Sequence, residues 1–320
     1  MNLDVISVGA AGFDIFVSGK DIKPSQISRD ASITLHTDAN YNIDHAVYEV
    51  GGSGMNSAIT FARQGLRTGC IARTGKDHLA NQIKILAKYE QIEHELLINN
   101  PEHHSDLNFH IITDRNKDIK LNYNNSFHSL SAKDLHFPGL KTRLLYLAEL
   151  PYDFKLYKYF ATWARANHAQ MAVNIMDFRE YRQKQINFVL ATADVVLMPI
   201  NFAREIFVET NDPIEIIRQI NAFGAKSIVL YDVTQEAYAF YDDTVYGCGV
   251  YRKLNPLDIT GCNDVFCAGF MSAYFQQKSI PEALTLASAN ACSVSEVFGT
   301  RSGILKKPAL RTIKTTTEVL

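Results

Sequence analysis

The second half of the chain repeats one pattern, in which a short apolar run is followed by a longer amphipathic segment. The apolar runs are residues 144–147, 172–175, 195–198 and 227–230, and the segments with helical spacing between them are residues 153–167, 183–191 and 213–223. Strands and helices that alternate in this way form a parallel sheet with helices on both faces. We therefore predict an α/β fold built around a mostly parallel central sheet.

The first third of the chain adds a buried strand and a smaller sheet. Residues 4–9 are mainly apolar, which is typical of a buried first strand, and a turn is predicted at residues 10–14. Beyond it, short apolar groups alternate with polar residues, a pattern that indicates exposed strands. We predict a single domain over residues 1–320, with a small β-sheet lid formed by segments of about 15–50 and 107–124.

The composition excludes several classes of protein. The 320 residues are 47% hydrophobic and 21% charged, as in ordinary globular proteins, and the formal net charge is −2, so no basic excess favours nucleic acid or an anionic membrane. We expect no signal peptide, and no membrane span because the sequence has no apolar run of about 18 residues. The five cysteines form no C-x-x-C pair, which argues against a disulfide framework or a zinc site. We expect a cytoplasmic protein that binds neither nucleic acid nor membrane.

Residues 255–274 contain the clearest chemical signal. A polar loop, Asp258 to Gly261, precedes a segment whose apolar residues recur at helical spacing. The first turn of a helix has backbone N–H groups without partners and an electropositive end, so it binds anions readily. Asp264 falls in that first turn, where its carboxylate would lie beside a bound anion and accept the proton of a hydroxyl group. An acidic residue at this position can equally serve only to stabilise the helix end.

This stretch resembles the C-terminal signature of the ribokinase/PfkB carbohydrate kinase family, D-T-T-G-A-G-D-x-F followed by a small residue, Gly and Phe. The chain has D-I-T-G-C-N-D-V-F over residues 258–266 and A-G-F over residues 268–270. Residues 51–65 are similar to the N-terminal signature of the same family, G-G-x-x-x-N-x-A-x-x-x-A-R-x-G. The two signatures occur in the family's order, so the resemblance covers nearly the whole chain.

The resemblance implies roles for individual residues. Asp264 would be the catalytic base, and the backbone amides of Gly261, Cys262 and Asn263 would form the anion hole, although Asn263 replaces a glycine of the family. Asp258 would help to hold a monovalent cation such as K⁺. The residues implied to contact the hydroxyl groups of the substrate are Asp14, Gly52, Asn56 and Glu149.

The nucleotide side of the predicted site departs from the family. An N-x-x-E motif usually organises magnesium and phosphate, but Asn201 and Glu205 are one residue too far apart; Glu205 is the predicted metal-side acid. Both residues could equally stabilise a helix N-terminus, with Asn201 as the N-cap. The glycine-rich loop that approaches the nucleotide phosphates is replaced by residues 231–237, which lack glycine and add Asp232 and Glu236. We expect this change to weaken ATP binding or to alter its pose.

The C-terminal part supplies two further predicted contacts with the nucleotide. Asn290 resembles a family position beside the adenine, and Gly303 belongs to a loop that often closes over the base. The small residues around Asn290 could equally serve tight helix packing.

These features predict an ATP- and Mg²⁺-dependent kinase that phosphorylates a hydroxymethyl group of a sugar or nucleoside, and that forms a homodimer through its exposed lid. The alternative is a sugar- or nucleoside-binding protein of the same fold with little or no kinase activity, which the loop at residues 231–237 favours. A dinucleotide-dependent oxidoreductase is excluded because the first strand is not followed by G-x-G-x-x-G. The sequence leaves the particular sugar or nucleoside open.

Overall fold

The computed structural model describes residues 1–22, 35–112, 118–123, 130–176, 181–207, 210–252, 256–307 and 318–319. In these ranges the strands are β1 (Asn2–Val8), β2 (Gly12–Ser18), β3 (His45–Gly51), β4 (Thr68–Thr74), β5 (Leu97–Asn99), β6 (Asp106–Ile112), β7 (Asp118–Tyr123), β8 (Lys141–Leu147), β9 (Gln170–Asn174), β10 (Val195–Pro199), β11 (Ile228–Asp232), β12 (Glu236–Tyr241), β13 (Thr244–Gly249) and β14 (Glu318–Val319). The helices are α1 (Ser53–Arg63), α2 (His78–Tyr89), α3 (Phe154–Ala166), α4 (Gln183–Thr192), α5 (Ile200–Ile206), α6 (Pro213–Ala222), α7 (Cys262–Phe275) and α8 (Ile280–Ser295).

The large sheet is mostly parallel, as the β/α repeat predicts. Within the described residues it has ten strands in the order β14-β13-β12-β11-β10-β9-β8-β1-β4-β5. The strands from β11 to β5 pair in parallel, whereas β12, β13 and β14 extend the sheet in antiparallel fashion. The carboxyl ends of all the parallel strands therefore lie along one edge, where ligands bind in sheets of this kind.

Helices cover both faces of this sheet. On one face α1, α2, α7 and α8 pack over a buried cluster that includes Val5 and Leu144. On the other face α3, α4, α5 and α6 pack over a cluster that includes Ile6 and Leu145. Successive strand residues point to opposite faces, so a strand buried on both sides must be apolar throughout, which explains the unbroken apolar runs in the sequence.

The small sheet forms the predicted lid. Its strand order is β3-β2-β6-β7, with β2 antiparallel to β3 and parallel to β6. Residues 23–34, 113–117 and 124 of the predicted lid lie outside the described residues. The prediction of a turn over residues 10–14 was wrong for its last residues: β2 begins at Gly12, and Asp14 lies inside this strand with its side chain buried.

The two faces of the lid differ sharply in polarity. One face contains Asp14, Glu49, Asn108 and His110, and it is turned toward the large sheet, where Glu49 contacts residues 300–302. The opposite face is entirely apolar or aromatic and consists of Phe13, Ile15, Val17, Ala46, Tyr48, Val50, Leu107, Phe109, Ile111, Ile119, Leu121 and Tyr123. The lid thus places polar side chains inward over the strand ends and leaves most of its apolar side chains outward, whereas Val50 and Phe13 pack on the core.

None of the helices in the described ranges combines the length and the apolar character needed to cross a lipid bilayer.

Candidate active site

The site is centred on the first turn of α7. Gly261 precedes this helix with φ 77°, in the left-handed region, and a Cβ at this position would come within 3.1 Å of Thr300 Cβ and O. Only glycine combines this backbone conformation with such a close approach. The helix itself is almost wholly buried, so its position between α1 and α8 is fixed by packing. A rigid, buried helix therefore holds the candidate anion hole and Asp264.

The backbone amides of this turn are unequal as donors. The N–H of Cys262 donates to Ile259 O at 3.2 Å, so it is engaged within the loop. The N–H groups of Gly261 and Asn263 have no acceptor among the described residues. The side chain of Cys262 is buried, and burial raises the pKa of its thiol to about 12, which keeps it neutral. Two of the three predicted amides are therefore available to an anion.

Asp264 has the electrostatics of a base that works near neutral pH. Its partly buried carboxylate accepts a hydrogen bond from Asn56 Nδ2 at 3.0 Å through Oδ2. Burial raises the pKa of Asp264 to about 7; the Asn56 hydrogen bond opposes this rise, and the charges of Glu149 and Asp14 add to it. A base is most effective when its pKa lies near the working pH, so Asp264 is suited to accept a hydroxyl proton.

Asn56 reaches Asp264 because of a tight turn before α1. Gly52 has φ 95°, and a Cβ there would lie 2.6 Å from Ala10 O. A Cβ at Gly51 would overlap the Asp14 carboxylate. Gly52 is therefore required by the close approach of this turn to the segment between β1 and β2, and Gly51 leaves room for the Asp14 side chain of β2. The turn places the start of α1 against that of α7, and it brings the two sequence signatures together.

Asp14 lies in the polar face of the lid. Its Oδ1 accepts hydrogen bonds from Asn108 Nδ2 at 2.8 Å and from His110 Nε2 at 3.2 Å. The His110 ring stacks on Phe16, with 4.3 Å between ring centroids. Sequence reasoning missed Asn108 and His110, since their alignment with Asp14 depends on the pairing of β2 with β6, which no local pattern specifies.

Glu149 follows β8 at the carboxyl edge of the sheet. Its Oε1 accepts hydrogen bonds from the Ala10 N–H at 2.9 Å and from the Ser53 hydroxyl. The carboxylate thus joins the turn after β1 to the N-terminus of α1. Its influence on the pKa of Asp264 shows that it also lies within electrostatic reach of the base.

The residues predicted to bind the metal and the nucleotide lie on separate elements, unlike the residues grouped around Asp264. Glu205 is exposed in the last turn of α5, and Pro199 is the N-cap of this helix, so the alternative that made Asn201 the N-cap was wrong.

Asn290 is 0% exposed, and it bridges Val265 O at 3.2 Å and the Leu305 N–H at 2.9 Å. In this geometry Asn290 fixes the segment after residue 300 against α7.

Gly303 also has a packing role. A Cβ at this position would lie 2.6 Å from Val294 Cα of α8 and would overlap the backbone oxygen of Ser293. The glycine therefore allows the chain after residue 300 to lie directly on α8.

The region of Asp258 offers oxygen atoms to a cation. Asp258 Oδ1 accepts the N–H of Thr260 at 2.9 Å. Asp258 Oδ2 and the hydroxyls of Thr260 and Thr300 are buried and have no hydrogen-bond partner within the described residues. Oxygen ligands of this kind suit hard cations. In the same residues no group of three or more His, Cys, Asp or Glu side chains could hold a metal ion.

The loop without glycine is a tight hairpin turn between β11 and β12. Asp232 Oδ1 accepts hydrogen bonds from the Thr234 N–H at 2.8 Å and from the Thr234 hydroxyl at 2.6 Å, so the side chain organises the turn. Glu236 accepts a hydrogen bond from the Tyr238 hydroxyl at 2.8 Å. Before this turn, Tyr231 points into the core, stacks on Phe266 and donates to Asn174. Side-chain hydrogen bonds have thus replaced glycine in forming this turn.

A mostly parallel sheet with a small lid and a carboxylate at the start of a buried helix defines the ribokinase-like class of folds. The chain is similar to the nucleoside kinase from Methanocaldococcus jannaschii, with a TM-score of 0.78 and 15% identity over 96% of both chains. It is also similar to the adenosine kinase from Sinorhizobium meliloti (TM-score 0.76, 18% identity, 97% of this chain and 98% of that one). The ribokinase from Arabidopsis thaliana, solved with ribose and ATP, gives a TM-score of 0.74 at 14% identity, covering 97% of this chain and 98% of that one.

A sequence model of the pfkB family carbohydrate kinases matches residues 22–307. The chain therefore belongs to the pfkB family of carbohydrate kinases, which confirms the resemblance drawn from the two signatures.

Proposed function

We propose that the protein transfers the γ-phosphoryl group of ATP to a hydroxymethyl group of a sugar or nucleoside, with Asp264 as the base. The observation that supports this most strongly is the position of Asp264 in the first turn of α7, where its carboxylate accepts a hydrogen bond from Asn56 at 3.0 Å and where burial raises its pKa to about 7. The kinases among the similar structures, including one solved with ribose and ATP, support the same reaction class.

The acceptor would bind between the lid and the start of α1. Two amide oxygens there, Asn56 Oδ1 and Asn108 Oδ1, are buried without a hydrogen-bond partner among the described residues. Together with the carboxylates of Asp14 and Asp264 they form a set of acceptors, which matches the donor hydroxyl groups of a sugar ring. We propose that Asp14, Gly52, Asn56 and Glu149 line this acceptor site.

The transferred group would meet the N-terminus of α7. The N–H groups of Gly261 and Asn263 are oriented donors that would stabilise charge on the phosphoryl oxygens as the acceptor oxygen attacks. Asp264 would accept the proton of that hydroxyl. Mg²⁺, when bound, would neutralise phosphate charge; it usually takes only one or two protein carboxylates, and we propose Glu205 as one of them.

A monovalent cation fits the region of Asp258. A K⁺ ion there would pair three buried oxygen atoms that otherwise lack partners, those of Asp258, Thr260 and Thr300. Because Thr300 lies against Gly261, we propose that this cation would help to fix the anion hole. The adenine end of the nucleotide would lie near Gly303. Asn290 would hold this segment against α7 through its hydrogen bonds to Val265 O and the Leu305 N–H.

We also propose that the protein is a homodimer through the lid. Ile15, Tyr48, Phe109 and Leu121 pair side by side across all four lid strands, on the outward face. Tyr48 is 62% exposed and Leu121 is 56% exposed. A contiguous apolar face of this kind is typical of an interface, and the same face of a second copy would cover it. Residues 1–320 would then work as one domain in each subunit.

The second candidate is a binding protein that keeps the acceptor site but transfers little phosphate. The loop at residues 231–237 favours it, since Asp232 and Glu236 bring negative charge to the strand end where phosphates would lie. We propose a cytoplasmic location for either candidate, because all five cysteines are buried and none of them forms a disulfide.

An assay of ADP formation with a panel of sugars and nucleosides separates the two candidates. We expect turnover with at least one acceptor, and a loss of about 10²- to 10⁴-fold in Asp264→Asn, because general base catalysis contributes that factor. Asp44→Asn, an exposed carboxylate in the lid region, is the matched control and should keep full activity. Absence of turnover together with acceptor-dependent thermal stabilisation of both native protein and Asp264→Asn would support binding only.

A further inference from the structure

Glu49 is a buried carboxylate of the lid that neither family signature includes. It lies in β3, two residues before Gly51, and is only 4% exposed. Its Oε2 accepts the backbone N–H groups of Thr300 at 2.8 Å and Arg301 at 3.2 Å, and its Oε1 accepts the hydroxyl of Ser302. The carboxylate therefore has three donors, all from one short loop after α8. We refer to residues 299–302 as the 299–302 loop.

The 299–302 loop is shaped to receive this carboxylate. Gly299 has φ 104°, and a Cβ at this position would overlap Glu49 Oε2. Two successive backbone N–H groups that converge on one oxygen form an anion-binding concavity. Because donors to an ionised oxygen give stronger hydrogen bonds than neutral pairs do, this contact fixes the loop to the lid strand firmly.

The same loop contacts the anion hole on its other side. A Cβ at Gly261 would lie 3.1 Å from Thr300 O, so the loop packs directly on the residue that begins α7. The loop is also tied to α1, since Arg63 Nη1 donates to Arg301 O at 2.8 Å while Arg63 pairs with Glu90 at 2.6 Å. The loop thus lies between the lid, the anion hole and α1.

The position of Glu49 in β3 relates this contact to the acceptor site. The strand continues from Glu49 directly into the Gly51–Gly52 turn, and Gly51 contacts the carboxylate of Asp14. If β3 shifts when the acceptor binds, Asp14 on one side and the 299–302 loop on the other must therefore move with it.

We propose that Glu49 is a positioning residue that couples the acceptor site to the anion hole by holding the 299–302 loop. This inference rests on the proposed kinase function. Glu49 contacts neither substrate in this proposal. It acts through Thr300, whose position determines how well the N–H groups of Gly261 and Asn263 are held. Loss of the carboxylate would leave the acceptor site formed but the anion hole poorly fixed.

Hydrogen exchange of the free protein tests the structural half of this proposal without any substrate. In Glu49→Gln the side chain keeps its shape and can still accept through its amide oxygen, but it loses the charge that strengthens these hydrogen bonds, so we expect the amides of Thr300 and Arg301 to exchange about tenfold faster. Ser302→Ala removes only the third donor and should give a smaller change in the same direction. Asp44→Asn, the control, should leave these amides unchanged. Equal protection in Glu49→Gln and native protein would overturn the proposal.

Steady-state kinetics test the functional half with whichever acceptor the panel identifies. We expect kcat to fall about tenfold or more in Glu49→Gln and less in Ser302→Ala, whereas the KM for the acceptor stays within about twofold. A raised acceptor KM with unchanged kcat would make Glu49 a substrate ligand and refute the positioning role. If Glu49→Gln does not fold, Ser302→Ala must show both effects for the proposal to stand. If native protein turns over no acceptor, the kinase function fails, while the exchange experiment still decides whether Glu49 holds the loop.

Discussion

The pKa of Asp264 sets the pH at which the proposed reaction begins. The base must be ionised to accept a proton, and with a pKa of about 7 roughly a tenth of the molecules are ionised at pH 6 and about nine tenths at pH 8. We therefore expect kcat at saturating substrates to rise about tenfold between these pH values. An aspartate with its ordinary pKa of 3.8 would be ionised throughout this range and would give no such rise.

Asn56→Ala perturbs this pKa in a known direction. The Asn56 amide donates to Asp264 Oδ2 at 3.0 Å and lowers the pKa of the carboxyl, so its removal raises that pKa further. A hydrogen bond to a charged group contributes about 1.5–3 kcal/mol, and one pKa unit corresponds to about 1.4 kcal/mol. The acid limb of the pH profile of kcat, which is the part where kcat rises with pH, should therefore move to higher pH by about one to two units.

The assay is ADP formation from pH 5.5 to 9.5 at constant ionic strength, with both substrates saturating. Saturation is needed because Asn56→Ala is also expected to raise the KM for the acceptor. Asn108→Ala is the matched control: its amide donates to Asp14 at 2.8 Å, so the acceptor KM should change while the acid limb stays in place. An acid limb that stays near pH 7 in Asn56→Ala, or that moves to lower pH, would refute the assignment of Asp264 as the base.

Four further predictions follow from the geometry. Gly261→Ala forces a side chain into left-handed backbone, so we expect a loss of about 1–2 kcal/mol in stability and a lower kcat, measured by denaturant unfolding and kinetics. Tyr48→Lys should convert the dimer to a monomer in light scattering, whereas Tyr89→Lys, at an exposed position in the last turn of α2, should not; a native monomer would contradict the lid interface. Asp264 binds its proton more tightly in the folded state than in the unfolded one, so stability should fall by up to about 4 kcal/mol from pH 4 to pH 7, and Asp264→Asn should lack this component. Asp258→Asn should abolish activation by K⁺, which a comparison of K⁺ and Na⁺ buffers would detect.

The sequence predicted local structure best where packing demands an unbroken pattern. The central strands are mainly apolar because both of their faces are covered, and the predicted runs at residues 144–147 and 195–198 lie within β8 and β10. The start of α7 was predicted correctly for a related reason: a loop with one glycine precedes a long apolar helix.

One local signal marks a hairpin in the antiparallel part of the large sheet. Buried and partly buried residues alternate along most of β12, and the two-residue turn that joins it to β13 is Asp242-Asp243, with φ 50° and 57°. Consecutive Asp residues tolerate these left-handed angles and mark such turns. The sequence predicts a turn through Asp14, but this residue lies in β2, where its buried carboxylate depends on Asn108 and His110 of the neighbouring strand β6.

The sequence by itself determined the layered α/β architecture, the helix that begins at Cys262 and the family to which the chain belongs. Only the tertiary structure decided that Asn56 would hold Asp264 across 208 residues, that Asn108 and His110 would share the Asp14 carboxylate, and that Glu49 would hold the 299–302 loop. The physical reason is that periodicity records whether a residue is buried, whereas the partner of a polar side chain depends on strand register and helix packing between distant segments.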